Sequence, residues 1–304
     1  MSEYHCLIAG LPDIKLDDSK QVYSVESFKE EVYPLLSRSD KKLMNLFFLK
    51  YDNQNLLSWL NNPVGSDSSV YDNRGTIPVE SFIQLLEAYK EGENIKKKIP
   101  SYMMDFLKEN SEMNTETEKE IETIDEEETE TSPLSLEDKL SALYYAYAIR
   151  QGNKFFSAWF ELNLNIKNIL TAVTCRKHGL DTNLYIVGDN TVAENLRKST
   201  SRDFNLSDEV DFLPELMRIA EETDLVLREK KIDILKWEWL DDNTIFKVFG
   251  IESVFAYLSK IEMIERWTNL DKETGEATFR ELISAMKKES NTVLNEFKKK
   301  NNKI

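Results

Sequence analysis

Residues 155–181 read FFSAWFELNLNIKNILTAVTCRKHGLD, and this stretch decides the fold. Phe155, Trp159, Leu162, Ile166, Ile169 and Val173 recur at alternating spacings of four and three, which places them on one face of a helix. Phe156, Phe160, Leu164, Leu170 and Ala172 are apolar as well, so little of that helix is left to water. Asn163, Asn165 and Asn168 interrupt the apolar run. A buried amide without partners costs on the order of 1–3 kcal/mol, so each needs a bonding partner. Arg176, Lys177 and His178 suit the last turn, and Gly179 suits a left-handed cap. The stretch predicts the helix at the centre of an all-α core.

The rest of the composition agrees. Nine Gly and seven Pro in 304 residues are few for an all-β chain with its many turns. This length allows two domains and a sizeable core. A net charge of −16 gives no basic field for a protein whose main task is nucleic-acid binding. Cys6 and Cys175 lie far apart and form no CxxC pattern, as expected of reduced thiols. The opening MSEYHCLIAGLPD is too polar for a secretory leader, and no window approaches 18 uninterrupted apolar residues.

Outward from the centre, helices are expected over 25–36, with Phe28, Val32, Leu35 and Leu36 on one face, and after a Ser39 cap to Asn61. A loop follows over 64–77. Pro78 is expected in the first turn of a helix that buries Phe82, Leu85, Leu86 and Tyr89. A short helical segment is expected over 99–107. Residues 109–130 carry eleven Asp/Glu and one Lys, leaving only −6 on the remainder of the chain. With so few apolar residues, 109–134 reads as a disordered acidic linker between a first helical subdomain (1–108) and a second and third (135–304). Ser135 restarts order with Leu136, Leu140, Leu143, Tyr144 and Tyr147. A brief extended segment is expected over 185–188, one or two helices over 207–239, and a helix pair or a helix kinked at Gly250 over 245–270. Thr278–Glu281 reads as a capping box that opens a last helix.

The chain also repeats itself. Residues 48–60, FLKYDNQNLLSWL, superpose without a gap on 161–173, ELNLNIKNILTAV. Asp52 matches Asn165, Asn55 matches Asn168, and the shared pattern is [DN]-x-x-N-[LI]-L-[ST]. Positions three apart share a helix face, so each pair can bond a neighbouring helix or a returning loop. A third, weaker copy lies at 261–268, IEMIERWT, with Glu262 and Glu265 at the paired positions. A spacing near one hundred residues is too long for a solenoid and fits duplicated helical subdomains.

These motifs carry a resemblance. Residues 47–60 resemble the Leu-x-x-Tyr-Asp-x-x-Asn-Leu pattern of the C-type rotor subunit of the A-type/V-type ATPases (the d-type protein of eukaryotes), through Tyr51, Asp52, Asn55 and Leu56, with Leu49 one residue nearer Tyr51 than the pattern's Leu. Asn165, Asn168, Ile169, Leu170, Arg176, His178, Gly179 and Leu180 answer to that family's second pattern, with Asn165 where Asp is usual. Tyr4, Leu7 and Ala9 are similar to its opening. Glu265 departs from the usual Asn, and the 109–130 insertion is atypical. The chain also resembles a divergent bacterial family encoded beside V-type ATPase genes. The resemblance implies an all-α, funnel-like architecture of two to three pseudo-repeated subdomains and a non-catalytic rotor role. The implied partners are the D and F proteins of the central stalk and the membrane rotor ring. Membrane contact would pass only through that ring, at the cytoplasmic side of the inner membrane. Tyr51, Asp52, Asn55, Asn165, Asn168 and Gly179 are then structural motif residues, with no catalytic, cofactor, metal or small-molecule site expected.

Other candidates read as structure. No GxxxxGK loop is present, His5 and His178 are the two histidines, and His178 suits a helix C-terminal cation. The 270–281 stretch and the Gly75 loop imitate calcium loops but place Leu270 and Val70 at the essential first position. Asp17–Asp18 and Asp241–Asp242 read as solvated turns, Cys175 as buried and inert, and Trp237 and Trp239 as core. The competing function is a helical scaffold or adaptor of another cytoplasmic complex, which a closed compact bundle favours. A pocket of convergent carboxylates favours an enzyme.

Overall fold

The computed structural model describes residues 3–16, 23–61, 71–90, 99–120 and 134–270. Among them every regular element is helical. In chain order these are α1 (His5–Ala9), α2 (Val25–Glu31), α3 (Arg38–Asn61), α4 (Val79–Lys90), α5 (Ser101–Glu120), α6 (Leu136–Ile149), α7 (Lys154–His178), α8 (Thr191–Lys198), α9 (Leu213–Ala220) and α10 (Leu225–Thr244). The last is α11, over residues 251–270.

Helix α7 begins and ends as its residues dictate. The Asn153 side chain accepts hydrogen bonds from the backbone N–H groups of Phe155 (3.0 Å) and Phe156 (3.3 Å). Gly179 takes φ 67°, which lets the Leu180 N–H reach the Cys175 carbonyl at 2.9 Å and close the helix. Helix α6 starts where expected, with Ser135 Oγ accepting from Asp138 N at 3.1 Å. The cap of α3 is Ser37 rather than Ser39. Ser37 Oγ accepts from Asp40 N (3.2 Å) and donates to the Asp40 carboxylate (2.7 Å), because Leu36 is already extended and delivers the chain to Arg38.

Several local expectations are displaced. Pro34 breaks the 25–36 helix into α2 and a single 3-10 turn, Tyr33–Leu35, which leaves Leu35 exposed rather than buried. Pro78 stands one residue outside α4, its carbonyl accepting from Phe82 N at 2.9 Å. No strand forms over 185–188; a 3-10 turn, Thr182–Leu184, leads into a coil that buries Ile186 and Val187. Helix α9 starts only at Leu213, with Pro214 in its first turn. Residues 245–250 form two successive turns instead of helix. Helix α5 runs on through Glu120, into the stretch expected to be an irregular linker. The rest of that linker (121–133), Asp17–Asp18, the Thr278 capping box and residues 271–281 of the calcium-like loop lie outside the described residues.

The three helices that carry the repeat, α3, α7 and α11, meet in the core. Phe255 of α11 is the meeting point. Its ring centroid lies 6.1 Å from that of Phe47, 4.5 Å from Phe156 and 6.1 Å from Trp159, mostly edge-on or tilted as aromatic quadrupoles prefer. Trp239 of α10 packs on Phe155 (5.5 Å) and Trp159 (5.6 Å), but like Trp237 it stays half-buried at the edge of the core instead of within it. Helix α6 lies between α5 and α7 and also touches α3, where Tyr144 Oη donates to the Leu46 carbonyl at 2.8 Å. Among the described residues most buried apolar side chains belong to one cluster, which runs from Tyr4 to Met263 and includes residues of both 1–108 and 135–304.

Candidate functional site

The repeated Asx pairs do the same work in both copies. Asn55 sits on α3, where its amide Nδ2 donates to the Asp72 carbonyl (3.0 Å) and its Oδ1 accepts from Asp72 N (2.8 Å). Asn168 on α7 repeats this with Val187: Nδ2 donates to its carbonyl (2.7 Å) and Oδ1 accepts from its N–H (3.1 Å). The clamped residue lies 17 positions downstream in one copy and 19 in the other. A primary amide matches one donor and one acceptor of a peptide group, which explains Asn at this position.

The partner position anchors the start of the following helix. Asp52 accepts from Thr76 N (2.7 Å), Thr76 Oγ1 (2.7 Å) and Ile77 N (3.1 Å), just before α4. Asn165 Oδ1 accepts from Asn190 Nδ2 (2.8 Å), and Asn190 caps α8 by accepting from Ala193 N (2.9 Å). Asp suits the first site because three donors converge on it, whereas a single donor meets Asn165. Burial raises the Asp52 carboxyl above its ordinary value, against the pull of those donors. Gly75 permits the close approach: a Cβ there would fall 2.2 Å from Asp52 Oδ1. The Gly75 loop that imitates a calcium site thus closes on Asp52 instead.

Each clamped loop is held from a second side. Lys29 Nζ donates to the carbonyls of Asn73 (2.9 Å) and Gly75, and Arg197 donates to those of Ile186 (3.0 Å) and Gly188 (2.6 Å). Arg176, one of the motif matches, stacks on Phe204 at 3.5 Å and donates to the Ser199 carbonyl (2.6 Å), fixing the loop where Phe204 and Asn205 adopt positive φ.

In the third copy the glutamates reach back to the first. Glu265 accepts from Val25 N (3.0 Å) at the start of α2 and pairs with Arg74 (3.3 Å), while Glu262 pairs with Lys50. Arg74 also forks onto Asp72 (2.7 Å) and stacks on the Tyr51 ring (4.3 Å). The Lys50 ammonium lies 3.6 Å from the Phe47 ring centroid, and burial lowers its pKa despite Glu262. Burial also pushes the Tyr51 phenol well up. Arg74 and Lys29 carry no repeat or motif signal in the sequence. Glu262 and Glu265 are legible only as the weak third copy.

These charges border a cleft of about 590 Å³ between α3, α10 and α11, lined in part by Tyr51, Arg74, Glu229, Glu262, Glu265 and Arg266. Of its carboxylates, Glu262 pairs with Lys50 and Glu265 with Arg74. Beside it the buried Asp233 accepts from Arg266 and from Trp267 Nε1 (2.8 Å). Among the described residues no group of three or more His, Cys, Asp or Glu is placed to hold a metal. His178 is exposed in the last turn of α7, and burial raises the Cys175 thiol.

Two exposed apolar surfaces lie at opposite ends of α10. Its first turn presents Leu225, Val226 and Leu227; Arg228, one residue on, shares a small cavity with Leu180 and Tyr185. Past its last turn stand Ile245, Phe246, Val248 and Phe249. The rest of α10, residues 228–244, separates them by about 25 Å.

A family model described as "Protein of unknown function (DUF2764)" matches residues 1–290. The chain belongs to this family. Its match takes in all the helices from α1 to α11. No curated protein and no solved structure matches the chain.

Proposed function

We propose that the chain is a non-catalytic rotor element of a bacterial V-type or A-type ATPase, joining the D and F proteins of the central stalk to the membrane rotor ring. One observation carries this reading. The residues through which α3 and α7 resemble the C-type rotor family hold equivalent places: Asn55 and Asn168 clamp a returning loop through the same two bonds, and Asp52 and Asn165 anchor the chain at or just before the next helix. A torque coupler needs rigid repeats, and satisfied buried polar networks supply rigidity and register. It also needs contact surfaces, and the exposed apolar residues at both ends of α10 support that requirement. In this reading the chain lies at the cytoplasmic face of the membrane, and no described helix is long and apolar enough to cross one.

The second reading, a scaffold or adaptor of another complex, draws support from the apolar cluster that runs through the described helices. Size-exclusion chromatography of the chain with a purified D–F heterodimer of the same organism separates the two. Co-elution as one complex supports the rotor reading, and separate elution at micromolar concentration favours the adaptor.

A further inference from the structure

We infer that the small cavity between α7, α9 and α10 binds a small organic carboxylate. The cavity holds about 260 Å³. Leu170, Leu180 and Ala220 give it apolar walls, and Thr171 and Tyr185 bring hydroxyls. Arg228 is the one charged residue among its described lining residues. The exposed Leu225, Val226 and Leu227 of the preceding turn lie outside this lining.

Arg228 carries the assignment. Its Nε is buried and meets no acceptor, and no described carboxylate pairs with the guanidinium. By contrast Arg74, Arg176, Arg197 and Arg266 each hold a carboxylate or a backbone carbonyl. The acids near the lining residues in the chain serve elsewhere. Asp224 accepts from Val226 N (2.9 Å) and Leu227 N (3.1 Å), and Asp181 accepts from Asn183 N (3.0 Å). Glu221 pairs with Arg202 (3.8 Å) and Glu222 with Lys231 (2.7 Å), while Glu229 lines the separate cleft between α3, α10 and α11. A buried guanidinium N–H without an acceptor is costly, and a carboxylate is the acceptor that matches the planar fork. One guanidinium among uncharged walls balances a single negative charge, whereas a phosphate dianion would leave a second uncompensated. The volume falls just under the usual range of ligand pockets, about 300–1,000 Å³, so the apolar body of the ligand is small.

The proposal stands apart from the rotor reading and is tested on the full chain without ATPase partners. Hexanoate, isovalerate and benzoate are titrated calorimetrically, with hexanamide as the neutral counterpart of hexanoate. At least one carboxylate is expected to bind with a Kd of about 1 mM or tighter. Hexanamide is expected to bind about tenfold more weakly than hexanoate. Arg228→Gln is expected to weaken carboxylate binding about tenfold or more, and Arg228→Lys, which keeps the charge without the fork, to weaken it less. Ala220→Leu fills the cavity and keeps Arg228; it repeats the test if Arg228→Gln alters the melting temperature, and is expected to abolish binding. Without ligand, Arg228→Met is expected to melt at or above the wild type, because methionine needs no acceptor. No saturable heat from any of the three carboxylates up to about 10 mM overturns the proposal, as does undiminished binding by Arg228→Gln and Ala220→Leu. An Arg228→Met variant that melts well below the wild type also overturns it, since the guanidinium would then serve the fold.

Discussion

Asn168→Ala tests the clamp most sharply. Asn168 is fully buried and Val187 nearly so, and the amide is bonded to both the N–H and the carbonyl of Val187. Truncation leaves two buried backbone groups without partners, at about 1–3 kcal/mol each. A water admitted to the vacated space would recover part of this, so the expected loss is about 2–4 kcal/mol. For a chain of this size that corresponds to a melting point lower by roughly 5–10 °C. Urea unfolding followed by far-ultraviolet circular dichroism measures the loss directly. Asn55→Ala should lose a similar amount, and the double variant should lose the sum to within about 0.5 kcal/mol, because the two amides serve separate loops. The reasoning fails if Asn168→Ala unfolds at the wild-type midpoint. It also fails if that variant keeps its stability but loses partner binding, since the clamp would then be a contact site.

Three further outcomes follow from the same geometry. Gly75→Ala should cost roughly 2–3 kcal/mol in urea unfolding, because its Cβ would collide with a carboxylate that Thr76 and Ile77 hold in place. Asp52→Asn should cost about 1–3 kcal/mol, since an amide NH₂ would face an N–H or O–H donor now bonded to oxygen; equal or higher stability would show that the repeat tolerates Asn at both sites. Burial opposes ionisation of Asp72, but Arg74 outweighs it and holds the carboxyl below its ordinary value of 3.8. A depressed folded-state pKa means stability that is present above the unfolded value and lost as pH falls through the folded one. The wild-type urea midpoint should therefore drop from about pH 5 to about pH 3 by more than that of Asp72→Asn, and equal drops would contradict the assignment.

Much of this was legible in residues 155–181. Helix α7, its Gly179 cap and its buried amides follow from periodicity and capping chemistry, which act within a few residues. The pairing of Asp52 with Asn165 and of Asn55 with Asn168 was legible as a repeat. What the pairs grasp was not, because Asp72 and Val187 are specified by loop closure, which no periodic signal reports. Glu265 illustrates the limit: its partners Val25 and Arg74 are set by how the ends of the chain come together. The α10–α11 turn illustrates another. Ile245, Phe246 and Val248 fall in a stretch expected to be helical, and apolar residues carry no mark of which side of the surface they face. Leu35 was misplaced for the same reason once Pro34 had turned the chain.

The central claim is that this chain belongs to a rotor, and affinity capture tests it most directly. The tagged full chain is recovered from gently solubilised membranes of the source organism that contain an intact ATPase. Recovery of the catalytic and central-stalk proteins together with the membrane ring is the predicted result. Recovery of the chain alone from those membranes would contradict the claim and leave the adaptor reading in its place.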